Sequence, residues 1–301
     1  MGPTAISTRD LTYEFAPGVG AAGVDLDVPA GTVYGFLGPN GAGKSTTIRM
    51  LVGLVRPQRG TVEVLGLDPW RDGPAMRARI GVLGSDQAAP RHHDGESLLR
   101  LSARLRERPG VVDRGRALAE RLRLDLSTPG HELSLGNRQK LGLVAALAHE
   151  PELVVLDEPT NGLDPLLQRD IESLFRELAD EGRTILLSSH SLPEVERVAD
   201  HIGFIREARL VEQAPLARLA ERAVRRGVLR FDRGVEPAAF GGGEGGDAVD
   251  RDDAGTELSV AFHGTVAPLL RRAGDLGAVS IEARGVDLEE TFFALYRTGS
   301  A

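Results

Sequence analysis

The sequence contains no cysteine, which excludes disulfides, thiolate catalysis and cysteine-ligated zinc, and fits a reducing compartment. Long apolar runs are also missing. The longest, residues 141–148, falls far short of the roughly 20 residues a membrane-spanning helix needs. Residues 1–10 lack the apolar core of a signal peptide, so the chain is expected to be neither secreted nor membrane-spanning. Nor is there an excess of basic charge: 36 Lys and Arg stand against 44 Asp and Glu, a formal charge of −8. Without a basic footprint, nucleic acid is not an expected partner.

What is present is the composition of a folded protein, 41% hydrophobic and 27% charged over 301 residues. That length accommodates one large domain and a smaller second one. Short β-type runs broken by Pro17, Gly18, Gly20 and Pro29 occupy residues 6–33, and residues 33–37 read as a buried strand. A helix is expected over 45–55, stopped by Pro57, followed by strands at 60–65 and 79–83. Apolar residues at helical spacing over 96–107, 113–122 and 136–149 indicate a helical insertion. Strands at 153–156 and 184–187 flank a helix over 166–179, and this alternation implies a mostly parallel sheet. Beyond Gln213 a basic helix precedes a small α/β unit, with strands at 228–231, 258–262 and 279–283 and helices at 265–272 and 287–296. The glycines of 241–246 and the acidic residues of 247–253 read as a mobile loop.

The chemistry is concentrated in a few segments. Gly38-Pro39-Asn40-Gly41-Ala42-Gly43-Lys44-Ser45 fits the P-loop pattern, placed after a strand and opening a helix. Its backbone N–H groups can turn around phosphates, Lys44 reaches the β- and γ-phosphates, and Ser45 offers a hydroxyl to magnesium. Thr46 follows within the same nucleotide-binding turn. Residues 153–156 form an apolar strand running into Asp157 and Glu158; Asp157 is suited to the metal, and Glu158 to orienting and deprotonating a water.

With these motifs in place, the chain resembles the ATP-binding cassette of ABC transporters over residues 11–211. Leu133-Ser134-Leu135-Gly136-Asn137-Arg138-Gln139-Lys140 is similar to that family's signature sequence, with Ser134 as a candidate helix cap. The resemblance implies that Ser134 and Gly136 face the ATP of a second cassette, that Asp164 in Asn161-Gly162-Leu163-Asp164 lies in the D-loop, and that His190 is the switch histidine. It also places Phe15 against adenine, with Tyr13 as a nearby competitor. Two positions depart from the pattern: Ser85 stands where the family carries a glutamine near the metal, with Gln87 two residues late, and Leu135 replaces a common glycine.

The fold class implied is α/β, a P-loop NTPase cassette. Its mixed, mostly parallel sheet is accompanied by an antiparallel β subdomain and a helical subdomain over about 85–150. The cassette would span 1–213 and a small C-terminal α/β domain 214–301. ATP and Mg2+ are the expected ligands, with ATP hydrolysis as the reaction. A second copy of the cassette and separately encoded permease subunits, docked beside residues 85–96, are the expected partners, which would hold the chain at the inner face of the cell membrane. The closing residues 287–296 resemble the end of bacterial exporter cassettes for drugs, antibiotics and other hydrophobic molecules. The rival readings are a non-transport ABC-type ATPase and a cassette that binds ATP without turning it over.

Overall fold

A computed structural model describes residues 2–84, 93–222, 225–236, 247–252, 255–262 and 266–286. The chain divides into two compact units, Met1–Ala214 and Pro215–Ala301.

The first unit opens with strands β1 (Thr4–Ala16), β2 (Val19–Val24) and β3 (Asp27–Pro29), then β4 (Val33–Leu37), helix α1 (Lys44–Leu51) and β5 (Arg59–Val64). β1 pairs antiparallel with β2, β3 and β5, forming a four-stranded sheet. Next come α2 (Gly73–Arg79), β6 (Ile80–Leu83) and three helices, α3 (Gly95–Arg106), α4 (Val111–Arg121) and α5 (Leu135–Leu147). The chain then returns through β7 (Leu153–Asp157), α6 (Pro165–Asp180), β8 (Thr184–Ser189), α7 (Leu192–Val198), β9 (His201–Arg206) and β10 (Arg209–Pro215).

The central sheet has the order β10-β9-β4-β8-β7-β6, and β9, β4, β8, β7 and β6 run parallel. β4, β7 and β8 are buried at every position, which is why their sequences are continuous apolar runs rather than alternating ones. Ile48, Met50 and Leu51 of α1 join Phe36, Leu153, Val155 and Leu186 in one core with the β1 sheet. In α6, Ile171, Leu174, Phe175 and Leu178 recur on one face and are buried, while the polar face stays outside.

At the end of α5, buried His149 donates Nε2–H to the Ile80 carbonyl oxygen at 3.0 Å, tying the helical region to β6. Burial, with the Arg106 and Arg108 guanidinium groups nearby, pushes its imidazolium down to about 4.

The second unit holds α8 (Leu216–Arg222), β11 (Arg225–Phe231), β12 (Asp247–Arg251), β13 (Glu257–Phe262), α9 (Ala267–Asp275) and β14 (Ala278–Val286). Its strands form an antiparallel sheet in the order β12-β13-β11-β14. Leu229, Phe231, Leu258, Val260, Phe262, Leu269 and Ala273 make its core.

Several expectations need correction. The acidic segment expected to be loop is strand β12 over Asp247–Arg251, because pairing with β13 satisfies its backbone where composition alone reads as polar. The first cassette helix stops at Leu51 rather than near Val55: Gly53 at φ 75° ends it before Pro57. Arg79 belongs to α2, not to the following strand. The glycine run 241–246, the segment 85–92 with Ser85 and Gln87, and the expected helix 287–296 lie outside the described residues.

Candidate functional site

The P-loop residues Gly38, Pro39, Asn40, Gly41, Ala42 and Gly43 connect β4 to α1, and Lys44, Ser45 and Thr46 form the first turn of that helix. Gly43 caps α1 in the left-handed region, at φ 107°, and a Cβ there would run into the Gly20 carbonyl. Only glycine fits this position. The contact also brings the β1–β2 hairpin against the loop. At that hairpin Phe15 is 61% exposed and edge-on to Tyr13, with ring centroids 4.9 Å apart. Tyr13 packs partly on the core, which leaves the Phe15 ring as the accessible stacking surface.

Lys44 is buried, and its Nζ donates to the carbonyl oxygens of Gly38 at 2.7 Å and Pro39 at 3.2 Å. Glu158 Oε1 lies 3.2 Å from the same ammonium group. Its other oxygen, Oε2, accepts from His190 Nδ1 at 2.9 Å. Because Nδ1 donates to the carboxylate, Nε2 of His190 is left for another partner. One carboxylate therefore bridges the loop lysine and the end of β8. Beside it, buried Asp157 accepts from Ser188 Oγ at 2.6 Å, and Ser188 Oγ accepts in turn from the Glu158 N–H at 3.0 Å.

Ser134, Gly136 and Asp164 form a second group. Ser134 accepts from the Asn137 N–H at 3.2 Å and caps α5. Asp164 caps α6 by accepting from the N–H groups of Leu166 at 3.1 Å and Leu167 at 3.0 Å. The two caps are neighbours, since the Leu135 side chain rests over Gly162 and that of Leu163 over Gly136. Leu135, the departure from the signature pattern, is thus spent partly on the Gly162 turn and remains 53% exposed.

Two functional neighbours were not found by sequence reasoning. The strand expected over 184–187 stops one residue short of Ser188, and Gln139 enters only within the signature sequence; nothing in their spacing announces the carboxyl and carbonyl partners they meet far along the chain.

For a nucleotide, the residues fit. The loop supplies a cradle too tight for a Cβ at Gly38 or Gly43, the N-terminus of α1 and a buried cation, which together suit a polyphosphate. For magnesium, the fit depends on the substrate. Among the described residues no cluster of three or more His, Cys, Asp or Glu could hold a metal by itself. Ser45 and Asp157 supply hard oxygen donors of the kind magnesium takes, and phosphate oxygens would complete its shell.

Residues 21–161 match the ABC transporter family. A bacitracin transport ATP-binding protein from Bacillus licheniformis is 36% identical over 222 residues, covering 73% of this chain and 72% of the relative. The chain belongs to the ABC transporter family. A daunorubicin/doxorubicin resistance ATP-binding protein from Streptomyces peucetius is 34% identical over 97% of this chain and 92% of its own length. Among solved structures, an ATP-binding subunit of an ABC transporter superposes with a TM-score of 0.67 at 29% identity, covering 73% of this chain and 93% of that one. The chain is an ATP-binding subunit on the P-loop NTPase cassette fold, and ATP hydrolysis is the activity of its family.

Proposed function

We propose that this chain hydrolyses ATP to drive a separately encoded membrane permease that exports a drug, antibiotic or other hydrophobic molecule. The observation that carries the reading is the Glu158 carboxylate held between Lys44 and His190. In this arrangement the P-loop N–H groups and Lys44 bind the β- and γ-phosphates, and Phe15 stacks on the adenine. Glu158 takes the proton of a water attacking the γ-phosphorus, the bond from that phosphorus to the bridging oxygen breaks, and ADP and phosphate leave. His190 orients the water and the γ-phosphate. Magnesium, held by Ser45 and Asp157 with Ser85 as a further candidate, would neutralise phosphate charge.

Ser134 and Gly136 at the N-terminus of α5 are suited to the γ-phosphate held by a second copy, with Asp164 at the same junction. ATP would then close two cassettes and hydrolysis release them. No helix among the described residues is long and apolar enough to cross a membrane. The transport path is assigned here to the permease, which would hold the chain at the inner membrane face. The export direction rests on relatives named for bacitracin transport and daunorubicin resistance. Nothing among the relatives favours the non-transport reading.

The test is phosphate release from ATP and Mg2+ by the purified chain, together with drug resistance of cells that express it with a permease encoded beside it. Hydrolysis and resistance that both need Glu158 are expected. A chain that binds ATP without releasing phosphate, alone or with the permease, would establish the binding-only alternative.

A further inference from the structure

We infer that Gln139 is the positioning residue for the Glu158 carboxylate, tying the signature end of α5 to the hydrolytic centre of the same chain. The inference rests on the ATPase reading above. Gln139 is completely buried on α5, five positions beyond the Ser134 cap. Its Nε2 donates to two successive carbonyl oxygens, Glu158 at 3.0 Å and Pro159 at 2.7 Å.

The tethered backbone needs holding. Glu158 sits at φ 52°, in the left-handed region that a side chain disfavours, and this twist at the end of β7 aims its carboxylate at Lys44 and His190. Ser188 Oγ fixes the N–H end of residue 158, and Gln139 fixes the carbonyl end. Together they leave the residue little freedom to rotate.

The partners also explain the residue type. Carbonyl oxygens only accept, and a primary amide has one hydrogen for each of the two. An ionised carboxylate would repel both, and a thioether could donate to neither. Among the described residues, no hydrogen-bond partner meets the buried Oε1 of Gln139 itself. An apolar side chain of the same length would avoid that orphan, so packing alone does not account for glutamine here. The two carbonyls do. Because Gln139 shares a helix with Ser134 and Gly136, any shift of that capped turn is carried to the Glu158–Pro159 peptide.

The experiment uses the full chain, with Gln139→Met removing both donors at similar volume and Gln139→His returning one N–H. ATP affinity, thermal midpoint, KM and kcat are measured at saturating Mg2+, where bound ATP supports the folded state by mass action. A displacement of about 1 Å at a reacting group costs on the order of 100-fold in rate, so Gln139→Met should lower kcat by at least about tenfold. ATP affinity should stay within about twofold, and Gln139→His should recover most of kcat. In a Glu158→Gln background, single-turnover rates should fall no further on adding Gln139→Met, because the group being positioned is already lost.

Unchanged kcat in Gln139→Met overturns the inference, as does an equal further loss in the Glu158→Gln background, which would mark a general structural role. If Gln139→Met does not fold, Gln139→His decides alone: high kcat supports the donor role and low kcat with intact ATP binding refutes it. Wild-type hydrolysis is the control that separates the two ideas. Its absence would sink the ATPase reading and this inference together, whereas wild-type turnover insensitive to Gln139 would sink only the inference.

Discussion

Lys44 Nζ and Glu158 Oε1 form an ion pair of 3.2 Å in which both side chains are shielded from solvent. The cation assigned to the phosphates and the carboxylate assigned to water thus neutralise one another across the join between P-loop and β7. Entry of phosphate between them would redirect Lys44 and free Glu158 for its own task.

Replacing Lys44 by Ala should therefore weaken ATP binding more than it perturbs the fold. Hydrogen bonds to a charged group are worth about 1.5–3 kcal/mol, or roughly 10- to 150-fold in affinity. Titration with a fluorescent ATP analogue measures this directly, and undiminished affinity would show that Lys44 does not hold the phosphates.

Glu158→Gln keeps the shape but removes the proton acceptor. Turnover should fall by about 100- to 10,000-fold with ATP still bound. Trapped ATP should also move the variant from monomer to dimer, as two signature turns close on two nucleotides. Light scattering at saturating ATP reads the outcome, and a persistent monomer would count against the paired mechanism.

His149 makes stability depend on pH. Its folded-state value, lowered to about 4 from 6.5, means the unfolded chain takes up the proton first as pH falls. Stability is unaffected by this group above pH 6.5 and is lost progressively between 6.5 and 4. By pH 5 the loss is about 2 kcal/mol, at 1.36 kcal/mol per pH unit. His149→Asn, which cannot titrate, should show a smaller drop in urea midpoint between pH 7 and pH 5. Equal drops in the two proteins would remove His149 as the cause.

A chain ending at Ala214 should keep ATP binding, because Lys44, Asp157, Glu158, Ser134 and His190 all lie within the first unit. The second unit is proposed to serve assembly or coupling, as it carries its own core and no nucleotide motif. Comparing ATP affinity and export for full and shortened chains tests this. Loss of ATP binding by a shortened chain that stays folded by circular dichroism would make the second unit part of the nucleotide site.

How legible the molecule was depended on the range of the interactions involved. The strand over residues 33–37 and the strands ending at Asp157 and Ser189 were readable because total burial leaves an unbroken apolar run. The α3, α4 and α5 helices were readable from spacing, each within two residues at either end. Helices α2 and α7 were not, since each has only 7 residues and carries a proline in its first turn, Pro74 and Pro193, which reads as a break in so short a pattern. β12 was hidden because its acidic sequence gains strand structure from its neighbour β13.

The same division applies to the site. By itself the sequence determined the phosphate loop, the Asp157–Glu158 pair and the family resemblance, because those depend on residue types at short, fixed spacing. Only the tertiary structure decided that one Glu158 carboxylate spans Lys44 and His190, and that Gln139 and Ser188 hold its backbone from opposite ends. Those contacts join residues 19 to 114 positions apart, where hydrogen bonds and ion pairs follow from sheet order and burial, which no local pattern records.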